Sequence, residues 1–135
     1  PLAQRVVNVA TRATAGAGDN ALIAGFYVSG SVPKRVLIRG VGPALTQFGV
    51  TGALARPQLS IASGSTVLAQ NAGLASSADA TAILSAATQV GAFALPANAA
   101  DAAILINLAP GAYTAQVSGV GGTTGVALVE VYEVP

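Results

Sequence analysis

Apolar and polar residues alternate along most of the chain with a period of two, which predicts β-strands. In residues 21–29 every second side chain, from Leu22 to Val28, is apolar and faces one side. Further strands are predicted over residues 5–11, 34–39, 58–62, 65–70, 102–108, 113–118 and 126–134. The segments 102–108 and 126–134 are apolar on nearly both faces, which is typical of strands that are central or covered on both sides.

Clusters of turn-forming residues separate these strands. Gly, Asp, Asn and Pro gather in residues 16–20, 30–33 and 109–111, and a Gly/Thr loop spans residues 119–125. Short strands joined by such turns predict an all-β domain, an antiparallel β-sandwich of immunoglobulin-like or jelly-roll-like type. The length of 135 residues suits a single domain over residues 1–135.

One segment departs from the alternation and predicts a short helix near residues 79–90. Ser77-Ala78-Asp79 supplies a helix start, the apolar residues from Ile83 onward recur at helical spacing, and Gly91 supplies a stop. We expect this helix to cover an open end of the sandwich. A second helical turn is predicted near residues 43–48.

The strand over residues 34–39 carries both apolar and cationic side chains. Val36 and Ile38 are expected to face the core, because Arg35 and Arg39 can then remain in solvent.

Sparse charge sets limits on partners. Charged residues make up 8% of the chain and the net charge is +1, which excludes the basic stripe of a nucleic-acid-binding protein and a polybasic membrane surface. No run approaches the 18 apolar residues of a membrane-spanning helix. A surface with so few charges suits a protein whose neighbours cover it.

The chain lacks His, Cys, Met and Trp. Because it begins at Pro1 without Met, we expect either a cleaved product or a segment of a longer protein. Without His and Cys the common catalytic triads and dyads are excluded. Lys34 is the sole lysine and is better explained as a solvated strand end. We therefore expect no enzymatic activity and no cofactor.

The carboxylates and glycines have ordinary explanations. Asp79 suits a helix start, and Asp19 suits a turn. Neither Asp19-Asn20 nor the Asn98–Asp101 segment has the ligand density that calcium requires. Residues 40–45 resemble the start of a dinucleotide-binding turn, but they hold Pro and Leu at important positions, so a bulged strand exit is the better interpretation.

A carbohydrate site is a weaker possibility. Arg35, Arg39 and Arg56 can form a patch that contacts anions or sugars, or can pair with acidic residues across strands. Tyr27 and Tyr132 are the aromatic side chains expected to point outward, and exposed aromatic faces are what sugars stack on.

Motifs along nearly the whole chain carry a family resemblance. They occupy residues 5–12, 18–26, 34–43, 48–54, 89–96, 110–119 and 125–133. Together they resemble a β-sandwich repeat found in large secreted and surface proteins of verrucomicrobial-type bacteria. Residues 70–73 depart from the Asp-Asn-Trp-like turn of many members. The resemblance implies copies of one module, joined covalently or assembled non-covalently, at an extracellular or cell-surface location.

The apolar terminal strands offer a route for assembly. An apolar strand can pair with the sheet edge of a neighbour, and head-to-tail contacts that do not close produce a filament. The residues predicted to pair with a second copy are Val6, Val7, Val9, Val126, Leu128, Val129, Val131 and Val134. The N-terminal strand, residues 5–11, is the candidate for exchange between subunits; the alternative is that both strands pair within their own sheet.

The predicted function is therefore a non-catalytic structural subunit or repeat of an extracellular filament or cell-surface assembly, whose partners are copies of itself in a head-to-tail homopolymer or in tandem. The alternatives are a carbohydrate-binding or adhesion module that contacts a surface glycan, and an accessory domain of a secreted enzyme.

Overall fold

A computed structural model describes residues 8–16 and 20–135, with the backbone alone for residues 8 and 9. The strands in this part of the chain are β1 (Asn8–Ala15), β2 (Leu22–Val28), β3 (Lys34–Val41), β4 (Pro57–Ser63), β5 (Thr66–Asn71), β6 (Ala102–Leu108), β7 (Gly111–Gly119) and β8 (Gly125–Val134). Helix α1 spans Ala80–Val90, and short 3₁₀ helices span Pro43–Phe48, Leu74–Ser76 and Val120–Gly122.

The strands form two sheets of four. Sheet I has the order β1-β8-β3-β6 and sheet II the order β2-β7-β4-β5. Neighbouring strands are antiparallel throughout both sheets. The predicted all-β antiparallel sandwich with one short helix is confirmed.

The main core lies between the two sheets. Alternating side chains of β3 and β8, among them Val36, Ile38 and Val129, meet Leu59 and Val117 from sheet II. Each of these five side chains is almost fully buried. Burying such side chains is worth roughly 1.5–3 kcal/mol each, so this layer is the main source of folding free energy.

A second apolar cluster covers the outer face of sheet I. Ile83, Ala86 and Ala87 of α1 pack against sheet residues that include Leu37 and Tyr132. The expectation that the helix would cover an open end of the sandwich is therefore wrong. Sheet I carries apolar residues on both faces, and the helix lies on the face that the other sheet leaves open.

The element boundaries follow local signals in the sequence. Helix α1 begins and ends where predicted, and Gly91 takes the left-handed conformation (φ 76°) that ends many helices. The predicted helical turn near residues 43–48 is the 3₁₀ helix Pro43–Phe48. The N-terminal strand, predicted over residues 5–11, continues to Ala15; residues 5–7 and part of the 16–20 turn lie outside the described residues.

A tyrosine ties the β6–β7 turn to the sandwich. The Tyr113 hydroxyl donates to the carbonyl oxygen of Ala109 at 2.6 Å, four residues upstream. The Tyr113 ring stacks on Phe26 with centroids 5.7 Å apart. This arrangement resembles the tyrosine corner of other β-sandwiches and fixes the turn to the edge of the core.

Gly42 has no room for a side chain. A Cβ atom there would overlap the Leu54 carbonyl oxygen. Gly42→Ala is expected to lower the free energy of unfolding by about 2 kcal/mol, because the chain must move apart to admit the methyl group. Urea denaturation followed by fluorescence of the tyrosines measures this loss.

Gly25→Ala is the matched control for that prediction. Gly25 is exposed in β2, and the nearest atom to a Cβ there is 4.0 Å away. Alanine at this site is expected to leave stability unchanged or to raise it by about 0.5 kcal/mol, since it restricts the unfolded chain. Equal losses in the two variants would contradict the steric explanation.

Candidate functional site

The most polar buried cluster centres on an ion pair in sheet I. Arg39 Nε donates to Glu130 Oε1 at 2.7 Å, and the two side chains are 1% and 7% exposed. Arg39 and Glu130 are direct cross-strand partners in the β3–β8 ladder. The expectation that Arg39 would remain in solvent is wrong, while the alternative of a cross-strand pair with Glu130 is confirmed.

Further contacts hold this pair in place. Arg39 Nη1 donates to the Phe93 carbonyl oxygen at 2.7 Å, and the guanidinium carbon lies 4.4 Å from the centre of the Phe93 ring. The Tyr132 hydroxyl donates to Glu130 Oε2 at 2.8 Å. Phe48 packs edge-on against Phe93 with centroids 5.0 Å apart. Both carboxylate oxygens are therefore occupied by structural hydrogen bonds.

Tyr132 is 4% exposed, so its predicted outward position is wrong. It lies two residues after Glu130 in β8, on the same face of the strand, which α1 covers. Arg39 Nη2 lacks a hydrogen-bond partner among the described residues. This nitrogen is itself buried, and the rest of the guanidinium is held by Glu130 and Phe93, so the cluster resembles a structural ionic core rather than a binding site.

We expect the protein to lose stability at alkaline pH because of the buried Tyr132 phenol. Burial, the hydrogen bond to Glu130 and the charge of that carboxylate raise the pKa of Tyr132 from 10.0 to about 12, against the opposing effect of Arg39. The stabilisation is fully present below pH 10.0 and is lost as pH rises toward about 12, because an unfolded tyrosine ionises first. A pKa difference of this size corresponds to on the order of 3 kcal/mol of stability.

Urea midpoints measured from about pH 8 to about pH 12 test this decline. Tyr132→Phe is expected to flatten the alkaline decline, whereas Tyr27→Phe, at a side chain that is 70% exposed, is expected to keep it. A decline that persists in Tyr132→Phe would assign the effect to another group.

Asp101 fills a backbone site at the end of β3. Its Oδ2 atom accepts the Gly42 N–H at 2.8 Å and the Ala44 N–H at 3.0 Å, and the residue is 2% exposed. These amides belong to the glycine-containing turn that resembles a dinucleotide-binding loop in sequence. A carboxylate of the same chain occupies the position where such a loop would hold phosphate, which agrees with a structural strand exit.

The remaining charged candidates lie apart. Lys34 Nζ is 3.9 Å from Glu133 Oε2, where β3 begins and β8 ends, and Asp79 is exposed beside the start of α1. Asp19 lies outside the described residues. Within residues 8–16 and 20–135, no three His, Cys, Asp or Glu side chains are grouped as a metal site would need.

The residues predicted to pair with a second copy have different positions. Val6 and Val7 lie outside the described residues, and Val9 is described by its backbone alone. Strand β8 is central, with β1 on one side and β3 on the other. Val129 and Val131 face the core, Val134 packs near α1, and Val126 and Leu128 are half-buried.

The outer face of sheet II forms a second feature, which we call the uncharged face. It runs across strands β2, β7, β4 and β5 and includes Ile23, Tyr27, Thr114, Gln116, Ser60 and Gln70. Ile23 and Tyr27 are 58% and 70% exposed. The sequence signal for this face was the polar half of each alternating strand, and Tyr27 was its predicted outward aromatic.

A groove of about 160 Å³ lies along one side of the sandwich, between the edge strands β5 and β6. Residues 69–71 form one wall, residues 103–106 the other, and Ser77, Asp79 and Ile83 close its end. Sequence reasoning missed this groove, because neither strand order nor the position of α1 can be read from alternation.

No helix among the described residues has the length and apolar character needed to cross a membrane. Comparison with protein-family models yields no match, and no curated protein matches the chain either. Among solved structures, the fold is similar to that of the pre-peptidase C-terminal domain of a collagenase from Bacillus anthracis. The TM-score is 0.53 at 15% identity, over 93% of this chain and 89% of that one, so the likeness concerns the β-sandwich fold.

Proposed function

We propose that this chain is a non-catalytic structural module of an extracellular bacterial protein, and that it acts by packing against neighbouring modules. The proposal rests on the observation that the buried ionic groups of the described residues are all engaged in internal contacts. Arg39, Glu130 and Asp101 are buried and engaged with other side chains or with backbone groups, and none of them lines the groove between β5 and β6. Groups engaged in this way stabilise a scaffold, which supports a structural role for these three residues.

The surface supports contact with neighbours. Strands β2, β5 and β6 each form the edge of a sheet and contain no charged residue. Free edges of this kind invite pairing, and isolated proteins usually protect them with charges. Exposed Val67 and Leu68 add apolar area on β5.

The structural neighbour supports an extracellular setting as well. A similar sandwich serves as a C-terminal domain of a bacterial collagenase. By analogy, this chain would be an appended module whose parent protein works outside the cell. Membership in the verrucomicrobial-type surface repeats, and attachment at the cell surface, are the finer parts of this proposal.

Self-association of the purified chain tests the proposal. We expect sedimentation velocity to show oligomers whose proportion increases as the protein concentration is raised about 100-fold. Negative-stain microscopy of the same samples distinguishes filaments from closed oligomers. A chain that remains monomeric throughout, and is also monomeric when two copies are joined in tandem, would contradict packing between modules.

The uncharged face supports a second candidate, a carbohydrate-binding or adhesion module. Tyr27 presents an exposed ring on the same face as the amide of Gln116 and the hydroxyl of Thr114, and sugars bind such combinations. A glycan array tests it, with Tyr27→Ala expected to abolish any signal and Phe48→Ala, in the 3₁₀ helix Pro43–Phe48 away from this face, expected to keep it. Absence of signal from the unmodified chain would remove this candidate.

A further inference from the structure

The two lateral sides of the sandwich are complementary in strand direction. In sheet I, β1 and β6 are the edge strands and run in opposite directions, because three antiparallel steps separate them. In sheet II, β2 and β5 are related in the same way. One side of the molecule therefore presents β1 beside β2, and the other presents β5 beside β6.

Suppose that a second copy lies beside the first in the same orientation. The edge strands that then face each other run antiparallel. The β1 strand of the second copy would run antiparallel to β6 of the first copy, and its β2 antiparallel to β5. Both sheets could then continue from one module to the next with the more favourable ladder geometry. An odd number of strands in either sheet would have produced a parallel junction instead.

The backbone of β6 is available for this pairing over its second half. The Ala103 N–H points away from β3, since it donates to Asn71 Oδ1 at 3.1 Å. Strand alternation then directs the N–H and C=O groups of Leu105 and Asn107 to the same free side. The start of β6 is covered, because the Leu74 N–H donates to the carbonyl oxygen of Asp101, just before the strand, and Ala103 is bonded to Asn71.

The charges on the two sides are also complementary. Asp79 is exposed at the end of the groove beside β6, on the side of sheet I where α1 lies. Arg12 is exposed on β1. Ala15 of β1 faces the core between the sheets, so Arg12, three residues earlier, points to the opposite face, which is the face that carries α1. A copy joined through β1 would thus bring Arg12 to the same face as Asp79.

We propose that modules of this protein associate laterally and head-to-tail, with β1 of one copy added to the free edge of β6 of the next, over the groove between β5 and β6. The occupant of the groove is a second copy of this chain. This inference rests on the proposed function, which it deepens by naming the partner and the joining strands. The contact is heterologous, so repetition yields an open filament.

Asn107→Pro tests the β6 edge. Asn107 is exposed, and its N–H points away from β3, so proline there removes a pairing donor without breaking the β3–β6 ladder. Asn107→Thr is the matched control, because it keeps the N–H and favours strands. We expect Asn107→Pro to weaken association about tenfold or more in sedimentation equilibrium, and Asn107→Thr to associate as the unmodified chain does.

Disulfide trapping identifies the partner strand. The chain has no native cysteine. Within one copy β1 and β6 are about 14 Å apart, three strand spacings, which is too far for a disulfide. We expect an equimolar mixture of Asn107→Cys and Arg12→Cys chains to give mixed dimers under mild oxidation. Ala10→Cys and Thr14→Cys replace Arg12→Cys if the two strands pair with a register shifted by two residues.

The outcomes separate this inference from the function on which it rests. Association that is unchanged in Asn107→Pro, with no mixed disulfide, would overturn the β6 junction and leave packing between modules intact. Disulfides from Asn107→Cys alone would indicate two-fold β6–β6 pairing and also overturn it. Mixed disulfides between Arg12→Cys and Leu128→Cys chains, which are partners in the β1–β8 ladder, would assign assembly to exchange of β1 instead. Monomers in every experiment would overturn both proposals.

Discussion

Arg39→Met is expected to lower the free energy of unfolding by about 3–5 kcal/mol, the largest effect among the single substitutions considered for this protein. The Glu130 carboxylate would remain buried with the Tyr132 hydroxyl as a partner but without its counter-ion. A typical domain has a total stability of only about 5–15 kcal/mol, so the variant would be close to unfolding. Urea denaturation at neutral pH gives the value.

A double variant separates the ion pair from its burial. Arg39→Met combined with Glu130→Leu removes both charges and fills the space with apolar groups of similar volume. Such replacements are often neutral, so the double variant is expected to lie within about 1–2 kcal/mol of the unmodified chain, and therefore to be more stable than Arg39→Met alone. A double variant that is less stable than either single variant would show that the charges contribute favourably in themselves.

The same pair shows where sequence reasoning reached its limit. Alternation correctly placed Val36 and Ile38 in the core, and therefore placed Arg39 on the opposite face. Whether that face is exposed to solvent depends on which elements pack over it. Here α1 and the segment around Phe93 cover the outer face of sheet I, so Arg39 and Tyr132 are buried on the side that alternation alone marks as exposed.

Features encoded by neighbouring residues could be predicted from the sequence, whereas features that depend on distant contacts could not. The bounds of α1 are predictable from neighbouring residues, and Gly91 ends the helix in the left-handed conformation. Asp79 precedes the helix but its side chain makes no capping hydrogen bond, so the interpretation of Asp79 as a cap is wrong. The docking position of α1 depends on contacts with β3, β6 and β8, which are distributed along the chain before and after it. The groove beside β6 is equally non-local, because it exists only where edges of two sheets meet, and the proposed junction between modules depends on that topology.

Asp101→Ala is expected to lower the free energy of unfolding by about 3 kcal/mol, since it leaves two backbone donors without a partner. The Gly42 and Ala44 amides lose the carboxylate that joins the end of β3 to the start of β6, across a sequence separation of about sixty residues. The Leu74 N–H keeps its bond to the Asp101 carbonyl oxygen, because that bond belongs to the backbone.

Asp101→Asn is the matched control, since it keeps an oxygen acceptor of the same shape and removes the charge. It is expected to cost about 1 kcal/mol, the difference between a charge-assisted and a neutral hydrogen bond. The gap between the two variants measures the cost of unsatisfied amides in a turn that sequence alone associates with phosphate. If both variants lose the same stability, the charge of Asp101 matters more than its hydrogen bonds; if neither loses any, the turn finds other partners, such as water, for its amides.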